Sequence, residues 1–183
     1  MKRLVQMYFT LNDRYRMPST SKEKKALDLI SKTLLQMGES LAVAESVTAG
    51  LIQSRLSLGN DAMRYFQGGI TVYNLGQKVK HLDIDPIMAD RSNCVSASIT
   101  REMACSVARL FNSSWGIGIT GYAAPVPALK INECFAYYTF AYKGQSIFED
   151  RIDTRLKSAP VVQRLFAEKV ILSFAQQIRY LAT

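Results

Sequence analysis

Apolar residues recur at helical spacing at Ala26, Leu27, Leu29, Ile30, Leu34, Leu35 and Met37. Ser19, Thr20 and Ser21 stand before them as capping candidates and Gly38 stands after as a stop, which predicts a first helix. Leu41 to Ala44 is a run of small or branched residues, the pattern of a short buried strand. Polar Glu45, Ser46 and Thr48 follow, then Gly50. Apolar spacing at Leu51, Ile52, Leu56 and Leu58 predicts a helix from Leu51 to Leu58. After a turn at Gly59-Asn60-Asp61, the aromatic and branched run Arg64–Tyr73 reads as a strand. Gly68 and Gly69 interrupt it, which predicts a bulge or a close approach to another backbone. Leu75–Leu82 reads as a short helix, with Pro86 ending it or shortly following its end.

Val95, Ser96 and Ser98 lead into a helix from about Ile99 to Phe111, and Trp115–Thr120 is a short buried strand. Tyr122 to Lys130 is a loop carrying Pro125 and Pro127. Cys134–Tyr142 and Ser146–Ile152 are strands joined at Lys143-Gly144-Gln145, a hairpin signal. From Ala159 to Leu181, residues such as Val162, Phe166, Val170, Phe174 and Ile178 share one face of a long closing helix. No repeat, low-complexity tract or linker divides residues 21–183, and residues 1–20 read as an irregular extension. Helices and strands alternate through the first two thirds and a hairpin comes later. That order predicts an α/β fold: a single three-layer α/β/α domain around a mixed β-sheet. Ligands in such folds gather at the carboxyl ends of the strands, here the turn Glu45–Gly50, the strand end at Tyr73 and the loop after Thr120.

Composition changes this picture little. The chain has 183 residues, 48% of them hydrophobic and 21% charged, enough for one domain with a real core. No run approaches the roughly 20 apolar residues of a membrane helix. The N-terminal apolar stretch is broken by Gln6, Thr10, Asn12 and Asp13, a poor signal peptide. Cys94, Cys105 and Cys134 are odd in number and lack CxxC spacing, so free thiols in a reducing cytoplasm are expected, with neither zinc nor another metal site. The net charge of +8 permits an anionic small substrate or nucleic acid. The basic residues are spread out, the densest being Lys22, Lys24 and Lys25 on the polar face of the first helix. No RNP, zinc-finger or basic-zipper pattern is present, so nucleic acid is not the expected partner.

Ser46 is the first candidate for chemistry. A serine between a strand and a helix sits beside unpaired helix N–H groups and partial positive charge, a place for an anion or an oxyanion. Its hydroxyl is either a nucleophile or, with Thr48, a plain helix cap. Tyr73 and Lys78 lie five apart where a strand hands over to a helix. A lysine acts as a base only when burial or a nearby positive charge lowers its pKa. A Ser–Lys pair then supports acyl transfer or amide hydrolysis without histidine. Against this, a lone lysine on a helix is most often a surface residue and a lone tyrosine at a strand end most often packing. His81, the single histidine, lies among basic residues at what reads as an exposed helix end. Cys134 reads as a small hydrophobe in a strand. Neither a Walker A loop nor a GxGxxG loop is present, and Asp83 and Asp85 make no metal cluster.

Taken in order, these segments resemble one family. AESVTAGLIQSRL resembles the strand-turn-helix signature of the CinA C-terminal domain family, the nicotinamide-nucleotide amidases. FQGGITVYNLGQKVKHLDI is similar to that family's segment ending in a tyrosine and, five positions on, a lysine. VSASITREMACSVARLF and WGIGITGYAAP are similar to its helix and its Gly-Ile-Thr-Gly strand end. The likeness spans about residues 20 to 182, and the order and spacing of the pieces are more specific than any one of them.

The resemblance implies a hydrolase that converts nicotinamide mononucleotide to nicotinate mononucleotide and ammonia, with no cofactor. By motif, Ser46 would be the nucleophile, Lys78 its base and later acid, and Tyr73 an assistant. Glu45, Thr48, Gly50, Gly69, Thr120 and Gly121 would be substrate-binding positions, and helix N–H groups after Ser46 would hold an oxyanion or a phosphate. A homodimer is implied as well. The chain departs from the pattern at two places. The family's paired glycine is Ala49-Gly50 here, and its glycine-rich loop reads Tyr122-Ala123-Ala124-Pro125-Val126-Pro127. Ala124, Val126 and Pro127 lack glycine's freedom, and Pro127 removes a donor. Two readings therefore stand: an active amidase, or a catalytically impaired relative that binds a nucleotide or regulates.

Overall fold

The computed structural model describes residues 21–181, so the expected irregular extension, residues 1–20, lies outside the described residues. Element order is α1 (Ser21–Met37), β1 (Leu41–Glu45), α2 (Leu51–Leu56), a 3-10 turn (Ala62–Arg64), β2 (Phe66–Thr71), α3 (Leu75–Leu82), α4 (Pro86–Arg91), α5 (Ala97–Leu110), β3 (Trp115–Tyr122), a second 3-10 turn (Pro127–Leu129), β4 (Cys134–Tyr142), β5 (Gln145–Thr154) and α6 (Ala159–Leu181). The five strands form one sheet in the order β2-β1-β3-β4-β5. β1 runs parallel to both neighbours, and β3–β4 and β4–β5 are antiparallel. This is the mixed sheet expected from the alternation of elements.

Two apolar layers cover the two faces. Leu41, Val43, Ile117, Ile119 and Phe140 pack against Ile30 and Leu34 of α1, Ile52 and Leu56 of α2, and Phe166, Val170 and Phe174 of α6. On the other face Ala42, Ala44 and Val72 pack against Leu82 of α3, Ala89 of α4 and Ile99, Met103 and Val107 of α5. The alternation along β1 thus feeds both cores, and the three-layer arrangement follows. α5 lies unusually close to the sheet because β3 supplies no side chain beneath it. A Cβ on Gly116 would stand 2.0 Å from the Ala104 carbonyl oxygen, and one on Gly118 2.4 Å from that of Thr100.

Gly68 and Gly69 fulfil both halves of their expectation. The β1–β2 register slips between Leu41 and Ala42, which pair with Phe66 and Gly68, and Gly68 has φ +113°. A Cβ on Gly69 would meet the Val43 carbonyl at 2.4 Å. α4 was not expected. It opens at Pro86, so this proline starts a helix, with the Asp85 carboxylate accepting from Ile87 N–H and Met88 N–H. Helix α2 is two residues shorter than expected and β3 two residues longer.

Candidate active site

The parallel strands β1, β2 and β3 end on the same edge, and one cavity of about 400 Å³ opens there. Its wall includes Ser46 after β1, Tyr73 after β2, Lys78 of α3, and Thr120, Gly121 and Tyr122 of β3. The convergence expected from the fold class is therefore present.

Lys78 and Ser46 meet in this cavity. Asn74 caps α3, its side chain accepting from Gln77 N–H, and the helix then aims Lys78 inward. Lys78 is 1% exposed, against the usual surface habit of lysine. Its Nζ donates to Ser46 Oγ at 3.0 Å and to the Val72 carbonyl at 2.9 Å. Burial pushes its pKa below the ordinary lysine value, partly offset by the nearby Cys94. An ammonium that loses its water is costly, and the neutral amine is favoured accordingly. A neutral lysine can accept the proton of the serine it touches.

Ser46 sits on a tight turn. Its N–H donates to the Ile119 carbonyl, extending the β1–β3 ladder, and its own carbonyl accepts from Ala49 N–H. Ala49 has φ +52° and Gly50 φ +95°. Ala49 thus holds a left-handed conformation at a cost of about 1 kcal/mol. The N–H groups of Val47 and Thr48 have no partner among the described residues. Gln163 of α6 donates its amide to the Val47 carbonyl at 3.0 Å, fixing that peptide from outside the turn.

Several of the expected substrate-binding positions hold the site together instead. Glu45 is fully buried and its carboxylate is fully used: Oε2 accepts from Gly50 N–H and Ile52 N–H, and Oε1 from Gln53 N–H. The expectation that helix N–H groups after Ser46 hold an oxyanion or phosphate is corrected by this cap, since the chain's own anion occupies them. Gly50 is the residue before α2 and gives its N–H to Glu45. Gly69 lies within β2, paired with Val43 of β1, rather than on the cavity wall. Thr48 is fully buried and off the wall, its hydroxyl without a partner among the described residues.

Thr120 and Gly121 do line the cavity, with the Thr120 hydroxyl donating to the Cys94 carbonyl at 3.0 Å. Tyr73 stands at the rim, 69% exposed. His81 is exposed on α3 and pairs with Gln77, and Cys134 is buried in the core as its strand position suggested. Asn74, Asn93, Cys94 and Gln163 also line the wall, and none of them was given a place in the site from the sequence. Asn74 was legible as a cap before an apolar period. The others reach the cavity only through tertiary structure.

A three-layer domain whose central strands bring a serine and a buried lysine to one cavity is the class that fold and site define. A model described as the CinA C-terminal domain matches residues 23–150, and the chain belongs to that family. It is 37% identical over 105 residues to a CinA-like protein of Trichodesmium erythraeum, covering 56% of this chain and 24% of that protein. A CinA-like protein of Koribacter versatilis is 36% identical over 102 residues, covering 55% and 25%. The chain thus aligns with about a quarter of the length of these relatives. In fold it is similar to a competence or damage-inducible protein from Enterobacter asburiae, with a TM-score of 0.78 and 18% identity over 87% of this chain and 99% of that one. It is also similar to a CinA superfamily protein from Escherichia coli, with a TM-score of 0.76 and 19% identity over 87% and 94%.

Proposed function

We propose that this chain is a Ser–Lys amide hydrolase acting on a nicotinamide-type carboxamide. Nicotinamide mononucleotide is the substrate that the family resemblance brings forward. One observation carries the reading: a buried lysine, its pKa lowered by burial, at 3.0 Å from a serine hydroxyl on a cavity wall.

In the proposed reaction, neutral Lys78 keeps one N–H on the Val72 carbonyl and takes the Ser46 hydroxyl proton as Oγ attacks the carboxamide carbon. The developing oxyanion is met by main-chain N–H of Val47, the residue after the nucleophile. Collapse breaks the C–N bond, and the proton on Lys78 Nζ passes to the leaving nitrogen, which departs as ammonia. Water then attacks the Ser46 ester, Lys78 taking its proton. The acid leaves and Ser46 recovers its hydroxyl. Tyr73, at the rim, flanks the substrate as it enters. A cytoplasmic homodimer is part of the same proposal, checked by light-scattering mass.

A second reading is a relative that binds without turnover. The segment after β3 favours it: Val126 pairs with Ile131 and Pro127–Leu129 forms a 3-10 turn where the family pattern has glycines. Ammonia release from nicotinamide mononucleotide decides between them, with Ser46→Ala as control. Release that vanishes in the variant supports the amidase. Ligand binding with no release from the native protein supports the second reading.

A further inference from the structure

We propose that Gln163 is a specificity-determining residue that reads the NH2 of the substrate carboxamide, so that the amide is held and the acid formed from it is refused. The inference rests on the amidase reading for the identity of the ligand, while the recognition stands on the placement of one side chain.

Gln163 lies one turn into α6 and lines the cavity together with Ser46 and Lys78. Its Nε2 donates to the carbonyl of Val47, the residue after the nucleophile, at 3.0 Å. A carbonyl oxygen accepts and never donates, so this bond fixes which end of the side-chain amide is which. The nitrogen is turned to the Ser46 turn, and the end left over is an acceptor, Oε1. Oε1 has no partner among the described residues. The turn itself supplies the opposite chemistry. The N–H groups of Val47 and Thr48 have no partner among the described residues, and Val47 lies on the wall. Beside the nucleophile the protein thus offers donors from the main chain and an acceptor from Gln163. A carboxamide presents the complement, an oxygen that accepts and a nitrogen that donates.

A carboxylate has no hydrogen to give. In the same pose one of its anionic oxygens would face the lone pairs of Oε1 after losing its water, which is unfavourable. Lys78 offsets this only by taking up a proton that its burial disfavours. A site that bonds a particular N–H rejects the analogue lacking it more strongly than a site that only fits its shape. Ammonia carries off the hydrogens that Oε1 reads, so the acid is left facing an acceptor. Ribose and phosphate are common to amide and acid and do not enter the discrimination.

Nicotinamide mononucleotide and nicotinate mononucleotide, which differ only in amide against acid, test this. Calorimetric titration of Ser46→Ala with each reads binding without turnover. The expected result is roughly tenfold or more tighter binding of the amide. Ser46→Ala/Gln163→Met has neither donor nor acceptor, and the preference should fall to within about threefold. In Ser46→Ala/Gln163→Lys an ammonium still donates to the Val47 carbonyl but puts a cation where Oε1 stood, and the acid should bind more tightly. A residue that only steadied the turn would leave the order of amide and acid unchanged in that variant. Equal or tighter binding of the acid by Ser46→Ala overturns the proposal. So does a preference for the amide that survives both Gln163 substitutions, and so does failure to bind the amide. Ammonia release by the native protein, measured in parallel, separates the two claims. A Gln163-dependent preference without release removes the amidase reading and leaves the recognition standing. Release accompanied by a preference that ignores Gln163 removes the recognition and leaves the amidase.

Discussion

Ser46 and Lys78 are 32 positions apart in sequence and 3.0 Å apart in space. Both are almost wholly buried, yet both line the cavity. Ser46→Ala and Lys78→Ala should each lower ammonia release by roughly a thousandfold or more while leaving the circular dichroism spectrum unchanged. Burial also sets the sign of the pH response. The working base is the neutral amine, so the rate should rise with pH along a limb below the pKa of an ordinary lysine. Stability follows the same group. An unfolded chain restores an ordinary lysine, which holds its proton to higher pH than native Lys78 does. Between the two pKa values the unfolded state carries more protons, so native stability rises with pH across that window. Lys78→Met should flatten this rise, which Tm measured against pH would show. A Tm slope identical in the two proteins would mean that Lys78 keeps its ordinary pKa.

Among the elements, α2 is the one that depends most on a single side chain. Six residues are too few to form a stable helix alone, and Glu45 supplies partners for three of the backbone N–H groups at its start. Glu45→Gln keeps the size but loses the charge and one acceptor. A loss of about 2–3 kcal/mol in urea unfolding is expected, and activity should fall because the Ser46 turn ends where α2 begins. The contact of α5 with β3 is a second such place. Gly118→Ala should destabilise by about 1–3 kcal/mol, since the added methyl meets backbone rather than a movable side chain. Much of this element plan was legible in the sequence. The bounds of α3, β4 and α6 follow their apolar periods residue for residue. α4 was missed because its six residues hold too little of a period to register, although Asp85-Pro86 is itself a helix-start signal. The Ser46–Lys78 pair was legible because each sits at a strand-to-helix handover. The reassignment of Glu45 was not, since a carboxylate beside a serine reads equally well as a binding group until its partners are seen. Asn93, Cys94 and Gln163 gave no local signal at all, because loops and a distant helix bring them to the wall.

For the molecule as a whole, charge and site point in different directions. The chain carries a net +8, yet among the described residues its cavity wall has Lys78 as its one charged side chain. The surface field can draw an anion towards the protein, but selection happens where the walls are dry and the partners fixed. If the field governed, raising salt from 0.05 to 0.5 M should sharply weaken binding of nicotinamide mononucleotide; with the wall governing, the change should stay within about threefold. The amide of Gln163 reaches across 116 positions of sequence to the Val47 carbonyl. A ribosome making this chain releases Ser46, Lys78 and Thr120 well before residue 163. The nascent domain therefore holds its reactive groups without the clamp that fixes the turn between them, and the helix that brings the clamp also supplies much of one core. Competence for chemistry would thus arrive late in synthesis, in one step with the docking of α6, and a half-made chain would be a silent one.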